Sequence, residues 1–238
     1  MVDQPPRYAV YFVPAADSGL YRFGSAVLQY DCYTGDTVRP LGEFANQPEE
    51  WRTATEEPRR YGFHATLKAP FYLAPSSSEA RLVSAFHSFA AIGRMVATIQ
   101  PVVTMLSGFA AIVPDQANPT LNALAADCTT IFDAFRAPMS AQERARRLAS
   151  GLNQSQIENL DRWGYPYLFA DFRFHMTLTG KIAVEQRDAT VSALREIFQR
   201  TCAGPIAIDR LALTKQDTSA SAFRVLSTAP LQGAREDG

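Results

Sequence analysis

The feature that most constrains this chain is a five-residue pattern, Phe-His-x-Thr-Leu, which occurs at residues 63–67 and again at 174–178. In both copies the side chains alternate, so that Phe and Leu fall on one face and His and Thr on the other. A period of two is that of a β-strand with one buried and one polar face. Each copy therefore predicts a strand that presents an imidazole and a hydroxyl side by side.

The two motifs open the same order of elements, which indicates an internal duplication. Each motif strand is followed by a helix and then by two more strands. In the first copy the predicted elements are 61–73, 78–92, 96–105 and 108–113, and in the second 172–182, 185–201, 205–213 and 222–228. A sheet this small cannot bury both of its faces alone, so the two halves should pack together.

The remaining segments surround these repeats. Further predicted elements are a strand at 7–13, a helix at 18–29, a helix at 119–135, a short helix ending near Gly151 and another at 153–162. The polar stretch 31–60 is interpreted as a loop with at most one helical turn near 48–51. A connection of that length is uncommon in a compact domain and is typical of a lid or binding loop.

We expect an α+β fold in a single bilobal domain over residues 1–238, with two antiparallel sheets around a central cleft and helices outside. The pseudo-repeats cover roughly 1–138 and 171–238, and a helical insertion, 139–170, separates them. Whether strands exchange between the lobes is left open by the pattern.

Composition excludes several classes of protein. The chain has 238 residues, 47% hydrophobic and 20% charged, which is typical of a globular protein. With Lys+Arg 23 against Asp+Glu 24, it lacks the excess positive charge of a protein that grips duplex nucleic acid. The cysteines, Cys32, Cys128 and Cys202, form no CxxC pair and are typical of free thiols. No apolar run is long enough to cross a membrane, so we expect a cytoplasmic protein without a membrane partner; the oligomeric state is not predicted.

Two imidazoles on opposite sides of a cleft suit in-line displacement at phosphorus. One of His64 and His175 would take a proton from water while the other gives a proton to the leaving oxygen, and imidazole has an unperturbed pKa near 6.5. The hydroxyls of Thr66 and Thr177 can donate to the non-bridging oxygens. Two histidines without nearby carboxylates make a poor ligand set, so we predict neither metal nor cofactor.

Four further residues are candidates for substrate binding. Strand alternation predicts that Lys68 and Lys181 share the faces of the two histidines, and Arg173 precedes the second motif on the same predicted face. Tyr61 precedes the first motif and is expected to line the cleft. A solvated strand face explains the charged residues equally well. His87, the third histidine, lies mid-helix without a repeat partner and is interpreted as structural.

Two interpretations concern the insertion. The basic residues Arg144, Arg146 and Arg147 lie on its first predicted helix, and a solvated helix face explains them better than contact with RNA. Tyr167, near its end, is expected to belong to the core.

Longer blocks around the motifs carry a family likeness. RRYGFHATLKAPF (59–71) and RWGYPYLFADFRFHMTLTGK (162–181) surround the two His-x-Thr pairs. The paired motifs resemble the 2H phosphoesterase superfamily, whose members are duplicated, bilobal α+β proteins that act on cyclic or linear phosphodiesters without metal. The blocks resemble a bacterial subfamily commonly encoded beside phosphonate-breakdown genes. The resemblance implies that the motif histidines are acid and base and that the motif threonines hold phosphate oxygens.

We therefore predict a metal-independent phosphodiesterase that hydrolyses a small cyclic phosphodiester. Its partner would be a small phosphorylated substrate, with a sugar cyclic phosphate as the candidate suggested by genomic association. Two alternatives stay open: an RNA-end 2′,3′-cyclic phosphodiesterase or 2′–5′ ligase-like enzyme, and a non-catalytic module that binds a phosphate ester. The sequence does not determine which histidine is the acid.

Overall fold

The computed structural model describes residues 4–46, 48–202 and 204–233, and these residues form nine β-strands and eight α-helices. The strands are β1 (Arg7–Phe12), β2 (Ala65–Tyr72), β3 (Thr98–Ile99), β4 (Pro101–Leu106), β5 (Phe109–Pro114), β6 (Met176–Lys181), β7 (Ile206–Ala207), β8 (Arg210–Gln216) and β9 (Arg224–Pro230). The α-helices are α1 (Gly19–Leu28), α2 (Pro48–Ala54), α3 (Glu56–Arg59), α4 (Glu79–Ala90), α5 (Pro119–Phe132), α6 (Ala141–Leu148), α7 (Gln154–Trp163) and α8 (Arg187–Thr201).

Among the described residues, seven strands form one antiparallel sheet in the order β4-β5-β6-β2-β1-β8-β9, and β3 pairs with β7 in a small second sheet. The first-half strands β4 and β5 lie beside β6, and the second-half strands β8 and β9 lie beside β1. Each side of the sheet therefore combines strands from both halves. The sides meet where Ala65 of β2 pairs with Met176 of β6. The α+β class is confirmed, and the two expected sheets are joined into one at this central pair.

Helices cover the sheet and close its core. Helices α4 and α5 pack on β2, β8 and β9, while α1 and α8 pack on β4, β5 and β6. Phe86 and Phe89 of α4 and Phe132 of α5 are fully or almost fully buried. Burial of one such side chain is worth about 1.5–3 kcal/mol. This packing explains the apolar stripes that the sequence shows at helical spacing.

Side-chain caps start the helices close to where their sequences predict. The hydroxyls of Ser18, Ser78 and Ser140 accept hydrogen bonds from the backbone of the first turns of α1, α4 and α6. Asn153 begins α7 with a reciprocal capping box. Each cap satisfies a backbone N–H that would otherwise lack a partner at the helix start.

The stretch expected to be a loop, 31–60, is largely helical in its second part, so that prediction is wrong there. Two aromatic side chains anchor it: Phe44 and Trp51 stack with ring centroids 3.8 Å apart. The indole of Trp51 also donates to the carbonyl of Val27 at 2.7 Å. These buried contacts with α1 stabilise α2 and α3, which the polar composition of the stretch conceals.

Two predicted strands are each divided in two. The segment 96–105 contains β3 and nearly all of β4, and 205–213 contains β7 and part of β8. The short pieces β3 and β7 pair with each other through Thr98–Ala207 and Ile99–Ile206. Within the described ranges, no helix combines the length and the apolar character needed to span a bilayer.

Candidate active site

The pair that joins β2 to β6 determines where the two motifs lie. Ala65 of β2 pairs with Met176 of β6. Because the strands are antiparallel, His64 then lies opposite Thr177, and Thr66 lies opposite His175. Residues opposite each other in such a ladder have Cα atoms roughly 4.5–5.5 Å apart. The two His-x-Thr pairs therefore occupy one face of the sheet, around a pseudo-two-fold axis through the central pair.

Both histidines are oriented by an equivalent backbone hydrogen bond. Nδ1 of His64 lies 2.8 Å from the carbonyl oxygen of Gly62, and Nδ1 of His175 lies 2.7 Å from the carbonyl oxygen of Arg173. A carbonyl oxygen only accepts, so each Nδ1 carries a proton and donates it. In the neutral ring Nε2 then keeps a lone pair, and Nε2 is the atom available for proton transfer in both halves.

His64 lies in an enclosed environment. Its ring stacks on that of Tyr11 with centroids 3.8 Å apart, and its Nε2 lies 3.1 Å from the hydroxyl oxygen of Thr66. Burial lowers the pKa of His64 to about 4; the bond to the Gly62 carbonyl opposes this shift, and the charge of protonated His175 adds to it. His64 is therefore neutral at neutral pH and accepts the Thr66 hydroxyl hydrogen.

His175 has more open surroundings. The ring of Phe109 lies beside it, with centroids 5.9 Å apart and a tilt of 51° between the rings. Beside it, Thr177 pairs with Ala111 of β5, a residue too small to cover the imidazole. The two histidines thus share one backbone geometry but differ in how closely other side chains cover them.

A cavity of about 410 Å³ lies over the two motifs. Its lining combines the four motif side chains, aromatic rings and cationic groups. The lining includes His64, Thr66, His175, Thr177, Tyr11, Tyr61, Phe109, Tyr165, Arg7, Arg147, Lys181 and Glu57. A pair of imidazoles with hydroxyl donors and several cations is suited to an anionic substrate that exchanges protons at two points.

A larger groove of about 1320 Å³ lies next to this cavity, between α2, α3 and the start of α8. It shares Glu57, Gly180 and Lys181 with the cavity but contains neither motif histidine. Among the described residues, no group of three or more His, Cys, Asp or Glu side chains forms a candidate metal site.

Lys68 does not lie in the cavity, so its predicted place on the face of His64 is wrong. The pairing of β2 with β1 shifts between Thr66, opposite Tyr11, and Lys68, opposite Val10. Such a bulge adds one residue to β2 and reverses the alternation of side chains beyond it. The ammonium of Lys68 is buried and pairs with Asp133 at 2.8 Å.

The other three predicted binding residues have different positions. Lys181 is exposed and lines the cavity where it joins the larger groove. Tyr61 lines the cavity, stacks on Phe223 and has its ring centroid 6.3 Å from that of His64. The side chain of Arg173 is exposed and is not part of the cavity lining; this residue contributes through the carbonyl that orients the second histidine.

The cavity residues that the sequence interpretation missed include Arg7, Tyr11, Arg147 and Tyr165. Alternation along the first strand puts Arg7 and Tyr11 on one face, which was an available signal. Arg147 and Tyr165 come from the insertion, and no local pattern relates them to the motifs. The solvated interpretation fits Arg146, whose side chain is 76% exposed, but not Arg147, which is 24% exposed.

Two further residues lie outside the cavity lining. His87 is exposed on α4, with Nε2 3.0 Å from the hydroxyl oxygen of Ser227. Tyr167 is 43% exposed, so its predicted place in the core is wrong. Its ring meets that of Tyr165 edge to face, with the ring centroids 5.7 Å apart.

Comparison with known proteins shows the family of this chain. Residues 66–224 match the family described as protein of unknown function (DUF1045). The chain belongs to the DUF1045 family. The match includes Thr66, His175 and Thr177, and the first motif histidine lies just before its start. The match therefore covers β3 to β8, nearly all of β2 and three of the four motif side chains.

Two curated relatives are named ribose 1,5-bisphosphate phosphokinase PhnN. That of Janthinobacterium sp. (strain Marseille) is 33% identical over 234 residues, which are 97% of this chain and 52% of the relative. That of Laribacter hongkongensis (strain HLHK9) is 33% identical over 224 residues, 92% of this chain and 50% of the relative. This DUF1045 chain spans about half the length of the curated relatives it matches.

Solved structures were also matched. E. coli LigT complexed with 3′-AMP has a TM-score of 0.40 and 13% identity, with 96% of this chain and 99% of that chain covered. A structure described as a phosphoesterase has a TM-score of 0.38 and 16% identity at the same coverage of 96% and 99%.

Proposed function

We propose that this chain hydrolyses a small cyclic phosphodiester by acid–base catalysis with two histidines and without a metal ion. The observation that carries the proposal is the equivalent orientation of His64 and His175, each with Nδ1 on a carbonyl two residues earlier and both lining one cavity. The resemblance of the paired His-x-Thr motifs to the 2H phosphoesterase superfamily supports the same reaction.

His64 is assigned as the general base. Its pKa of about 4 keeps the ring neutral near pH 7, and its Nε2 keeps a lone pair because Nδ1 donates to Gly62. A neutral imidazole of this tautomer can take a proton from an attacking water. Thr66, whose hydroxyl lies 3.1 Å from Nε2, would turn towards the phosphate when substrate and water enter.

His175 is assigned as the general acid. Water forms a bond to phosphorus while its proton passes to Nε2 of His64; the bond to the leaving oxygen breaks, and that oxygen takes a proton from Nε2 of His175. The step converts one cyclic diester into one monoester and one hydroxyl. Solvent then returns the two rings to their starting protonation states. Each acid or base role is typically worth ~10²–10⁴-fold in rate.

The other motif groups bind the charge of the reacting phosphate. The hydroxyls of Thr66 and Thr177 donate to the two non-bridging oxygens, where negative charge develops. Lys181, at the exposed end of the cavity, adds a positive charge to this side. No carboxylate is needed to orient either histidine, since backbone carbonyls perform that task.

A ribose cyclic phosphate is the substrate that we favour. The curated relatives are named as phosphokinases of a ribose bisphosphate. P-loop phosphotransferases carry Gly-x-x-x-x-Gly-Lys-Ser/Thr, and this sequence does not contain that motif. Because this chain lacks that motif and spans about half of those relatives, we take from their name the sugar alone.

A turnover screen tests the reaction. The protein is incubated with ribose 1,2-cyclic phosphate, a nucleoside 2′,3′-cyclic phosphate and a linear phosphodiester, and the products are followed by ³¹P NMR. Preference for the ribose ester supports the proposal, whereas preference for the nucleoside ester favours the RNA-end alternative. Tight binding without product supports the non-catalytic alternative. Activity that a chelator abolishes and zinc or manganese restores would contradict metal independence.

Variants test the two histidines. His64→Ala and His175→Ala should each lower kcat/KM at least ~10²-fold with the fold retained. His87→Ala is the matched control, because this third histidine is exposed outside the cavity, and it should keep wild-type turnover. Full activity of either motif variant would refute the mechanism.

A leaving-group series tests which histidine is the acid. A 4-nitrophenyl phosphodiester expels an anion that needs no proton. With that substrate the effect of His175→Ala should shrink to less than about tenfold, whereas the effect of His64→Ala should persist. The reverse result would exchange the two roles.

A further inference from the structure

The cavity holds more positive charge than one reacting phosphodiester needs. A cyclic phosphodiester carries a single negative charge, and the motif residues with Lys181 already face it. Arg7 and Arg147 line the same cavity from two other elements, β1 and α6. One carboxylate, Glu57, also lines the cavity, on the side shared with the larger groove.

Arg7 is fixed against the cavity wall. Its Nε donates to Oε1 of Gln216 at 2.7 Å, and its guanidinium carbon lies 5.4 Å from the ring centroid of Phe223. It shares a strand face with Tyr11, four residues or about 13 Å further along β1. Arg7 is therefore directed to a part of the cavity beyond the first motif.

Tyr11 supplies a second, independent sign of a ligand. Its side chain is 0% exposed, and its hydroxyl has no hydrogen-bond partner among the described residues. A buried hydroxyl without a partner costs about 1–3 kcal/mol, so such groups are normally satisfied by protein, water or ligand. Burial raises the pKa of Tyr11 well above its ordinary value, so the hydroxyl keeps its proton and can donate.

Arg147 is held on the insertion side. Its Nε and Nη2 both contact Oε1 of Glu143, at 3.3 and 3.0 Å, and its guanidinium carbon lies 5.7 Å from the ring centroid of Tyr165. The side chain is 24% exposed, against 76% for Arg146, the preceding residue of α6. One arginine of this helix is thus directed to the cavity while its neighbour extends into solvent.

We propose that the substrate carries a second, non-reacting phosphate, which Arg7 and Arg147 bind with the hydroxyl of Tyr11 as a further donor. A phosphate monoester carries −1.5 to −2 charges near pH 7, so two cations match it. Arginine binds such groups bidentately. The proposal rests on the function proposed above and restricts its substrate class to cyclic esters of sugars that are phosphorylated at another position.

Matched substrates test this subsite. Ribose 1,2-cyclic phosphate is compared with its 5-phosphorylated form, and adenosine 2′,3′-cyclic phosphate with its 5′-phosphorylated form. The second phosphate should raise kcat/KM at least tenfold in the preferred pair. Arg147→Gln and Arg7→Gln should each lower kcat/KM for the doubly phosphorylated substrate about tenfold. For the singly phosphorylated substrate, kcat/KM should stay within about twofold of the wild-type value. Arg146→Gln, the matched control on α6, should retain the whole advantage.

Direct binding separates failure of the subsite from failure of the proposed reaction. Ribose 5-phosphate, which has no cyclic ester, is titrated calorimetrically into the wild type and the variants. If Arg147→Gln raises the Kd for ribose 5-phosphate at least tenfold and His175→Ala changes it little, the subsite is supported even if no ester is turned over. Two results would overturn the subsite: equal turnover of substrates with and without the second phosphate, or a Kd for ribose 5-phosphate that neither arginine substitution changes.

Discussion

Burial of His64 makes the stability of the fold depend on pH. In an unfolded chain histidine titrates near pH 6.5, whereas burial lowers the pKa of His64 to about 4 in the folded protein. Between these values the unfolded chain binds a proton that the folded chain does not, so acid favours unfolding. The contribution of His64 is complete above about pH 6.5 and is lost as the pH falls towards 4.

The size of the effect follows from the difference between the two pKa values. A difference of about 2.5 units corresponds to about 3 kcal/mol when the titration is complete, at 1.36 kcal/mol per unit. At about pH 5 most of the unfolded imidazole is protonated and most of the folded one is not. The free energy of unfolding should therefore fall by about 2 kcal/mol between pH 7.5 and pH 5 on account of this residue.

Urea denaturation at about pH 7.5 and pH 5 measures this contribution as a double difference. His64→Gln removes the titrating group, so wild type should lose about 2 kcal/mol more stability than this variant on acidification. His87→Gln, which removes an exposed imidazole outside the cavity, is measured in parallel as the control. An equal loss in wild type and His64→Gln would refute the claim that His64 is buried in its neutral form.

Two further substitutions test the positions of cavity and non-cavity residues. Lys68→Met removes a buried ion pair outside the cavity, so we expect a loss of about 1–3 kcal/mol in urea denaturation with kcat/KM within about threefold of wild type; a tenfold loss of turnover in the folded variant would return Lys68 to the site. Gly62→Ala adds a Cβ at φ +73°, 2.6 Å from the Cβ of Cys32, and should displace the carbonyl that orients His64, lowering kcat at least about tenfold. Gly151→Ala, at φ +77° with no neighbour within 4 Å, carries the same backbone strain and should leave kcat unchanged.

The motif strands were predictable because local alternation is a short-range signal. Phe63 and Leu67 are buried, and the His-x-Thr side chains occupy the opposite face, as a period of two requires. The predicted helix starts at residues 18, 78 and 153 likewise coincide with the N-caps of α1, α4 and α7. The meeting of the motifs was only a hypothesis, since it depends on the pairing of β2 with β6, which are remote in sequence.

The failures have equally specific causes. Lys68 follows a bulge at the pairing of β2 with β1, and a single extra residue moves the next side chains to the opposite face of the sheet. Arg147 lies in a charged helix whose sequence is typical of a solvated surface, and only the approach of the insertion to β1 makes it a cavity residue. Both errors arise from long-range packing, which local patterns do not record.

The difference between the two motifs can be traced to one pair of equivalent positions. Across the neighbouring strands, Tyr11 lies opposite Thr66 and Ala111 lies opposite Thr177. The large ring stacks on the first histidine and covers one face of its imidazole, while the small side chain leaves the second histidine more open. Two titratable groups with different environments can take different proton-transfer roles. Tyr11→Ala should therefore raise the pKa of His64 towards its ordinary value, as followed by NMR titration of the imidazole protons, and an unchanged pKa would assign the asymmetry to another cause.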